Sequence, residues 1–102
     1  MKKIDALLEN YEKSKLEKVS VIHANENGPT VVAFVYVDKE KTDADKLEEA
    51  FMLTNNIDCG WWENASVEKM FDGNACRSTM VGDMVLIGTT KYKCDSVGWS
   101  KI

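Results

Sequence analysis

Proline and histidine occur once each in this chain, and the three cysteines, Cys59, Cys76 and Cys94, are an odd number. Each scarcity excludes something. Three thiols cannot all pair within one chain, and no two share a CxxC or other ligand spacing. His23 lies far from them in sequence, so neither a disulfide framework nor a zinc site is expected. The proline, Pro29, falls in a turn-rich stretch. With no linker and no internal repeat, residues 1–102 read as a single domain. No apolar run approaches the length of a membrane span, and no apolar h-region follows the N-terminus. A cytoplasmic protein with reduced thiols, with no membrane association, is therefore expected. Catalytic, nucleotide and metal motifs are lacking too, so the expectation is no cofactor and no catalysis.

What is present is enough for a core. The chain has 102 residues, 44% of them hydrophobic, with three Trp, three Tyr and three Phe. A domain of this size buries roughly 60–70% of its unfolded surface without needing staples. The net charge of −4 is unevenly spread. Residues 38–49 carry six acids (Asp38, Glu40, Asp43, Asp45, Glu48, Glu49) against three lysines. Residues 77–102 carry Arg77, Lys91, Lys93 and Lys101 against Asp83 and Asp95. The middle is acidic and the tail mildly basic; the plain reading of both is solvated surface.

Along the chain, Ile4, Leu7, Leu8 and Tyr11 predict an amphipathic helix over residues 2–15. The period then changes to two: Val19, Val21 and His23 share one side of a strand from Lys18 to Ala24. The turn formers Asn25 to Pro29 lead into Thr30–Val37, an uninterrupted β-branched and aromatic run that predicts a strand covered on both faces. These two strands are expected to form an antiparallel hairpin.

A second helix is predicted over residues 43–55, N-capped by Thr42, with Leu47, Ala50, Phe51 and Thr54 as its stripe and Asn55-Asn56 as its stop. Trp61-Trp62 cannot both face one way: one is expected to plug the core and the other to lie near the surface. Ala65–Phe71 is predicted as a short helix stopped by Gly73. Val81-Gly82-Asp83 is a tight turn into the strand Met84–Ile87; Gly88-Thr89-Thr90 reverses into residues 91–95, and residues 97–102 form a last alternating run. The fold class is α+β: a largely antiparallel sheet of four to five strands with two main helices and one short helix.

Two pieces carry a resemblance. One is Leu47-Glu48-Glu49-Ala50-Phe51 followed by Asn55-Asn56. The other is Arg77 to Val85, followed by Tyr92-Lys93-Cys94-Asp95-Ser96-Val97-Gly98-Trp99. Together, over about half the chain, they are similar to the YodL-like domains of plasmids, integrative elements and phages. In those domains a helix ending near an Asn precedes an Arg-Ser strand start with a later Asp. A closing strand then carries Tyr, Asp-Ser and Gly-Phe. Here Met80 and Gly82 stand where Ser is common, and Trp99 where Phe is usual. The resemblance implies an accessory protein of a phage or mobile element and brings no catalytic residues with it. As scaffolding, Arg77 and Ser78 can bond the groups of a turn, Asp83 can close an Asx-type turn after Gly82, and Gly98 lets Trp99 lie flat or a backbone approach.

Three functions compete. The first is a protein-interaction module that binds a host or element-encoded protein through Trp61, Trp62, Glu63 and the acidic second helix (Asp45, Glu48, Glu49), since exposed Trp is enriched at interface hot spots. The alternative is a weak nucleic-acid binder using the C-terminal hairpin: Arg77, Lys91, Lys93 and Lys101 on phosphates, Tyr92 and Trp99 stacking on bases. The third is an enzyme with Cys76 or Cys94 as nucleophile and His23 as base. For it, Arg77 beside Cys76 is the one hint and buried, inert thiols are the plainer reading.

Overall fold

The computed structural model describes residues 15–56 and 60–102. Strands β1 (Leu16–Asn25) and β2 (Gly28–Asp38) come first, then helix α1 (Asp43–Leu53) and a 3-10 turn over Trp61–Glu63. Strands β3 (Val67–Lys69), β4 (Met84–Ile87), β5 (Thr90–Cys94) and β6 (Trp99–Lys101) follow. The strands make one six-stranded sheet in the order β3-β2-β1-β4-β5-β6, antiparallel at every pairing. The protein is α+β, with six strands rather than four to five and with α1 as the one α-helix among the described residues. The helix predicted over residues 2–15 lies, but for its last residue, outside them.

The β1–β2 hairpin forms as the turn-rich stretch predicts. Asn25 pairs with Gly28, whose φ of 108° belongs to the left-handed region that glycine tolerates. One irregularity interrupts the ladder: Val21 faces Ala33 and Ile22 faces Val31, so Val32 is an extra residue bulged out of register. Alternation does the rest. Val19, Val21 and His23 on β1, Ala33, Val35 and Val37 on β2, and Val85 and Ile87 on β4 are buried on one face. Phe34 and Tyr36, on the other face of β2, are half-buried, so that strand is fully covered on one side and partly on the other.

Helix α1 closes the buried face. Thr42 caps it, its hydroxyl accepting from the Asp45 amide at 3.2 Å, with Asp43 and Asp45 in the first turn where the helix dipole favours anions. Leu47 and Ala50 enter the core, and Lys46 is drawn in with them, its ammonium held by Glu17 at 2.5 Å. The helix stops at Leu53 without the left-handed Asn that the sequence predicts: among the described residues no non-glycine residue has a positive φ. Side chains take the terminal carbonyls instead. Thr54 donates to Ala50, Asn55 to Phe51, and Asn64 reaches across to Leu53 at 2.9 Å.

The short helix predicted over Ala65–Phe71 is corrected to strand β3. Its local pattern suits either state, and the free edge of β2 decides between them. Tyr36 donates to the Ser66 carbonyl, Met70 donates to the Val32 carbonyl, and the Tyr36 hydroxyl bonds Glu68 at 2.9 Å. A three-residue strand that satisfies an edge is worth more than an isolated turn of helix. Gly73 still turns the chain afterwards with φ 98°.

This packing yields a direct test. Leu47→Ala is expected to cost about 2–5 kcal/mol, whereas Met52→Ala, on the outer face of the same helix at 58% exposure, is expected to stay within about 0.5 kcal/mol. Urea unfolding midpoints check both; equal losses would mean that α1 buries a different face.

Candidate functional site

The outward face of α1 presents Asp45, Glu48 and Met52 to solvent, while Glu49 pairs with Lys41. Next to it stands the β5–β6 hairpin. Tyr92 pairs with Lys101 and Cys94 with Trp99, which places Tyr92 and Trp99 on the sheet face that carries the helix. Both rings are tied to helix acids. The Tyr92 hydroxyl donates to Asp43 at 2.8 Å, and the Trp99 indole N–H donates to Glu48 at 3.3 Å. The Trp99 ring also meets Phe51 edge-on, centroids 6.2 Å apart. Between helix and hairpin lies an open cleft of about 370 Å3, lined by Asp43, Asp45, Leu47, Glu48, Tyr92 and Trp99. A smaller hollow of about 180 Å3 continues it past Phe51, Asp95 and Gly98. The hydrogen bond to Asp43 pushes the Tyr92 hydroxyl pKa up, so the ring stays neutral beside its carboxylate. Carboxylates around two aromatic rings make a setting that suits a cation and repels a phosphate.

The tryptophans divide as predicted, and the division removes one of them from the surface. Trp61 is completely buried, its indole N–H donating to the Arg77 carbonyl at 3.0 Å and its ring touching His23, Trp62 and Phe71. As an exposed anchor Trp61 is therefore corrected to a core plug. Trp62 is half-buried and lies against Phe71, centroids 5.6 Å apart, with exposed Glu63 after it. Gly60 makes room for Trp62: a Cβ there would meet its indole at 2.3 Å. Trp62 and Glu63 thus sit by β3, while Asp45 and Glu48 line the cleft with Tyr92 and Trp99. The partner-binding set read from the sequence is split, and Trp99 takes the place beside the acids.

The C-terminal motif residues converge on Asp83, which is 1% exposed. Arg77 grips it with both arms, Nη1 on Oδ2 at 2.7 Å and Nη2 on Oδ1 at 2.9 Å. The amides of Ala24 and Met80 donate to the same two oxygens. Gly82, with φ 97°, makes the turn, and the Ser78 hydroxyl accepts from the Asn56 amide at 2.8 Å. The carboxylate reaches back to Met80 rather than forward into an Asx turn. Burial alone pushes the Asp83 carboxyl up, but Arg77, the two amides and His23 together outweigh it and hold it below the ordinary carboxylate value.

His23 lies beside this clamp. One ring nitrogen, Nε2, is 2.9 Å from the Thr79 hydroxyl, which donates to Thr54 at 2.7 Å; Thr54 donates in turn to the Ala50 carbonyl. The other, Nδ1, is 3.7 Å from the Cys76 sulfur. Burial pushes the imidazole below its ordinary pKa, with Asp83 opposing and Arg77 assisting, and burial pushes the Cys76 thiol up. A histidine that the sequence leaves without an orienting neighbour thus has four, all remote in sequence. The one available signal was its place on the same strand face as Val19 and Val21, where a buried ring nitrogen requires a partner. Cys94 is buried and donates to the Asp95 carbonyl; Cys59 lies outside the described residues.

The nucleic-acid set is dispersed. Lys91 and Lys93 pair with Leu86 and Met84 on the sheet face opposite Tyr92 and Trp99, Arg77 is spent on Asp83, and the two aromatics stand among carboxylates. No group of three or more His, Cys, Asp or Glu residues is placed to hold a metal among the described residues. Among them, too, no helix is long and apolar enough to cross a membrane.

Two outcomes are expected. Folded Asp83 ionises below the ordinary carboxylate value and folded His23 stays neutral below the ordinary imidazole value, so in each case the unfolded chain binds the extra proton as pH falls. Stability is therefore full near neutrality and drops in two stages, first below about pH 6.5 and again below about pH 3.9. Asp83→Asn is expected to lose roughly 2 kcal/mol at pH 7 and to flatten the second stage, as read from urea midpoints across pH. Gly60→Ala keeps an ordinary φ but must evict the Trp62 indole, so the tryptophan emission should shift to the red; an unchanged spectrum would contradict the packing. No family model matches the chain, and neither does any curated protein or solved structure, so the reading of this site rests on its own chemistry.

Proposed function

We propose that the protein is a non-enzymatic interaction module. It would be an accessory protein of the phage or mobile-element kind that its similarity to YodL-like domains implies, working in the cytoplasm where its thiols stay reduced. Its partner is a host or element-encoded protein that offers a basic segment, and the segment docks in the cleft between α1 and the β5–β6 hairpin. The observation that carries this reading is the pair of bonds from Trp99 to Glu48 and from Tyr92 to Asp43. They hold two aromatic faces at the edge of an acidic helix, where a lysine or arginine can lie over a ring and still reach a carboxylate. Asp45 and Asp95 add negative charge around the same cleft. Such a surface gains mostly on-rate and selectivity from its charge, and affinity from its buried aromatic.

Binding of nucleic acid by the same hairpin is the weaker reading. Lys91 and Lys93 lie on the sheet face opposite its stacking rings, Lys101 shares the face of the rings, and the rings lie beside acids that repel phosphate.

A fluorophore-labelled oligo-arginine peptide tests the proposal. Titration is expected to show saturable binding that weakens with salt. Trp99→Ala should weaken it about tenfold, or 1.4 kcal/mol, and the double variant Asp45→Asn with Glu48→Gln more, with circular dichroism unchanged. Binding that is indifferent to all three substitutions, or a single-stranded DNA probe that binds more tightly than the peptide, would overturn the proposal.

A further inference from the structure

One cluster of reactive groups is not used by the cleft. Cys76 is partly exposed, and its sulfur is 3.7 Å from Nδ1 of His23, a ring that is otherwise 1% exposed. The hydrogen bonds behind that ring have only one consistent direction. Thr54 donates to the Ala50 carbonyl, so its oxygen accepts from Thr79. The Thr79 hydroxyl has then given its proton and must accept from His23, which places the imidazole hydrogen on Nε2. Nδ1 is left with its lone pair directed at the thiol. The chain of hydroxyls therefore holds the ring in the tautomer and orientation that a base for Cys76 requires, and Asp83 stands 3.8 Å from Nε2, where it steadies a positive ring.

We propose that Cys76 is a covalent modification site for soft carbon electrophiles of the α,β-unsaturated carbonyl class, with His23 as its general base and Thr79 as the positioning residue for that base. The sulfur bonds to the β-carbon while its proton passes to Nδ1. The π electrons move to the α-carbon and carbonyl oxygen, and the imidazolium then returns the proton to the α-carbon. Nothing is oxidised and nothing leaves, so one proton held between sulfur and nitrogen is all that the step needs. The reaction is stoichiometric and involves no turnover, so it stands independently of the cleft and of the non-enzymatic reading. Burial holds the thiol up and the imidazole down, which favours the neutral pair before reaction. The buried Cys94, whose thiol donates to a carbonyl, serves as the internal comparison.

N-ethylmaleimide is the probe, applied to the full native chain, with the modified cysteine identified by peptide mass. A thiol acting alone reacts through its thiolate, about tenfold faster for each pH unit below its pKa. A thiol paired with a neutral base reacts at a level rate between the two pKa values, so Cys76 is expected to label at a nearly constant rate from about pH 7 to pH 8.5. The rate should also fall in heavy water. His23→Gln should restore the steep pH dependence and slow labelling at pH 7 at least tenfold. Thr79→Val should slow it too, with Thr79→Ser restoring the rate. If His23→Gln does not fold, the pH profile and isotope effect of the unaltered protein decide. A tenfold rise per pH unit in that protein, or labelling that falls on Cys59 or Cys94 and spares Cys76, would overturn the proposal.

Discussion

The carboxylate of Asp83 is the constraint on which the rest depends. A charge buried this deeply costs several kcal/mol unless it is fully engaged, and Asp83 has four donors: both arms of Arg77 and the amides of Ala24 and Met80. These donors come from the end of β1, from the connection before β4, and from the turn that starts β4. One side chain thus joins the centre of the sheet to the segment that crosses its end. Because the segment is held there, Thr79 reaches His23, Cys76 stands at its other nitrogen, and the Arg77 carbonyl receives the Trp61 indole. The core plug and the polar chain are consequences of the same clamp.

The clamp also sets the hairpin that carries the cleft. Gly82 donates to the Cys94 carbonyl and Cys94 donates to the Asp83 carbonyl, both at 2.8 Å, so β5 is registered against the turn as well as against β4. That register directs Tyr92 and Trp99 to the helical side of the sheet, and α1 brings Asp43 and Asp45 from its capped first turn, and Glu48 from the next, to meet them. Charge and aromatic surface, which lie far apart along the chain, become neighbours by this route. The cleft follows from how two edges were positioned, and neither edge predicts it alone.

Much of the fold was legible because period and turn chemistry are local. The hairpin at Gly28, the cap at Thr42, the strand Met84–Ile87 and the opposed facing of the adjacent Trp61 and Trp62 all follow from a few adjacent residues. Ala65–Phe71 has a local pattern that predicts helix, but its outcome belongs to β2, whose open edge recruits it. Trp61 differs from expectation for a related reason: that one indole is buried is readable from adjacent residues, but which one depends on the Arg77 carbonyl that receives it. His23 shows the limit most clearly, since every group that orients it is more than fifty residues away or in a different element.

By itself the sequence determined an α+β chain with alternating strands, an acidic capped helix and a glycine-turned C-terminal sheet edge, because propensity, capping and alternation act over a few bonds. Tertiary structure alone decided that Trp99 rather than Trp61 meets the acidic helix, that Asp83 is a buried clamp, and that a lone histidine stands against a thiol. Those are contacts between distant segments, set by which faces must be buried together and which buried polar atoms must find partners.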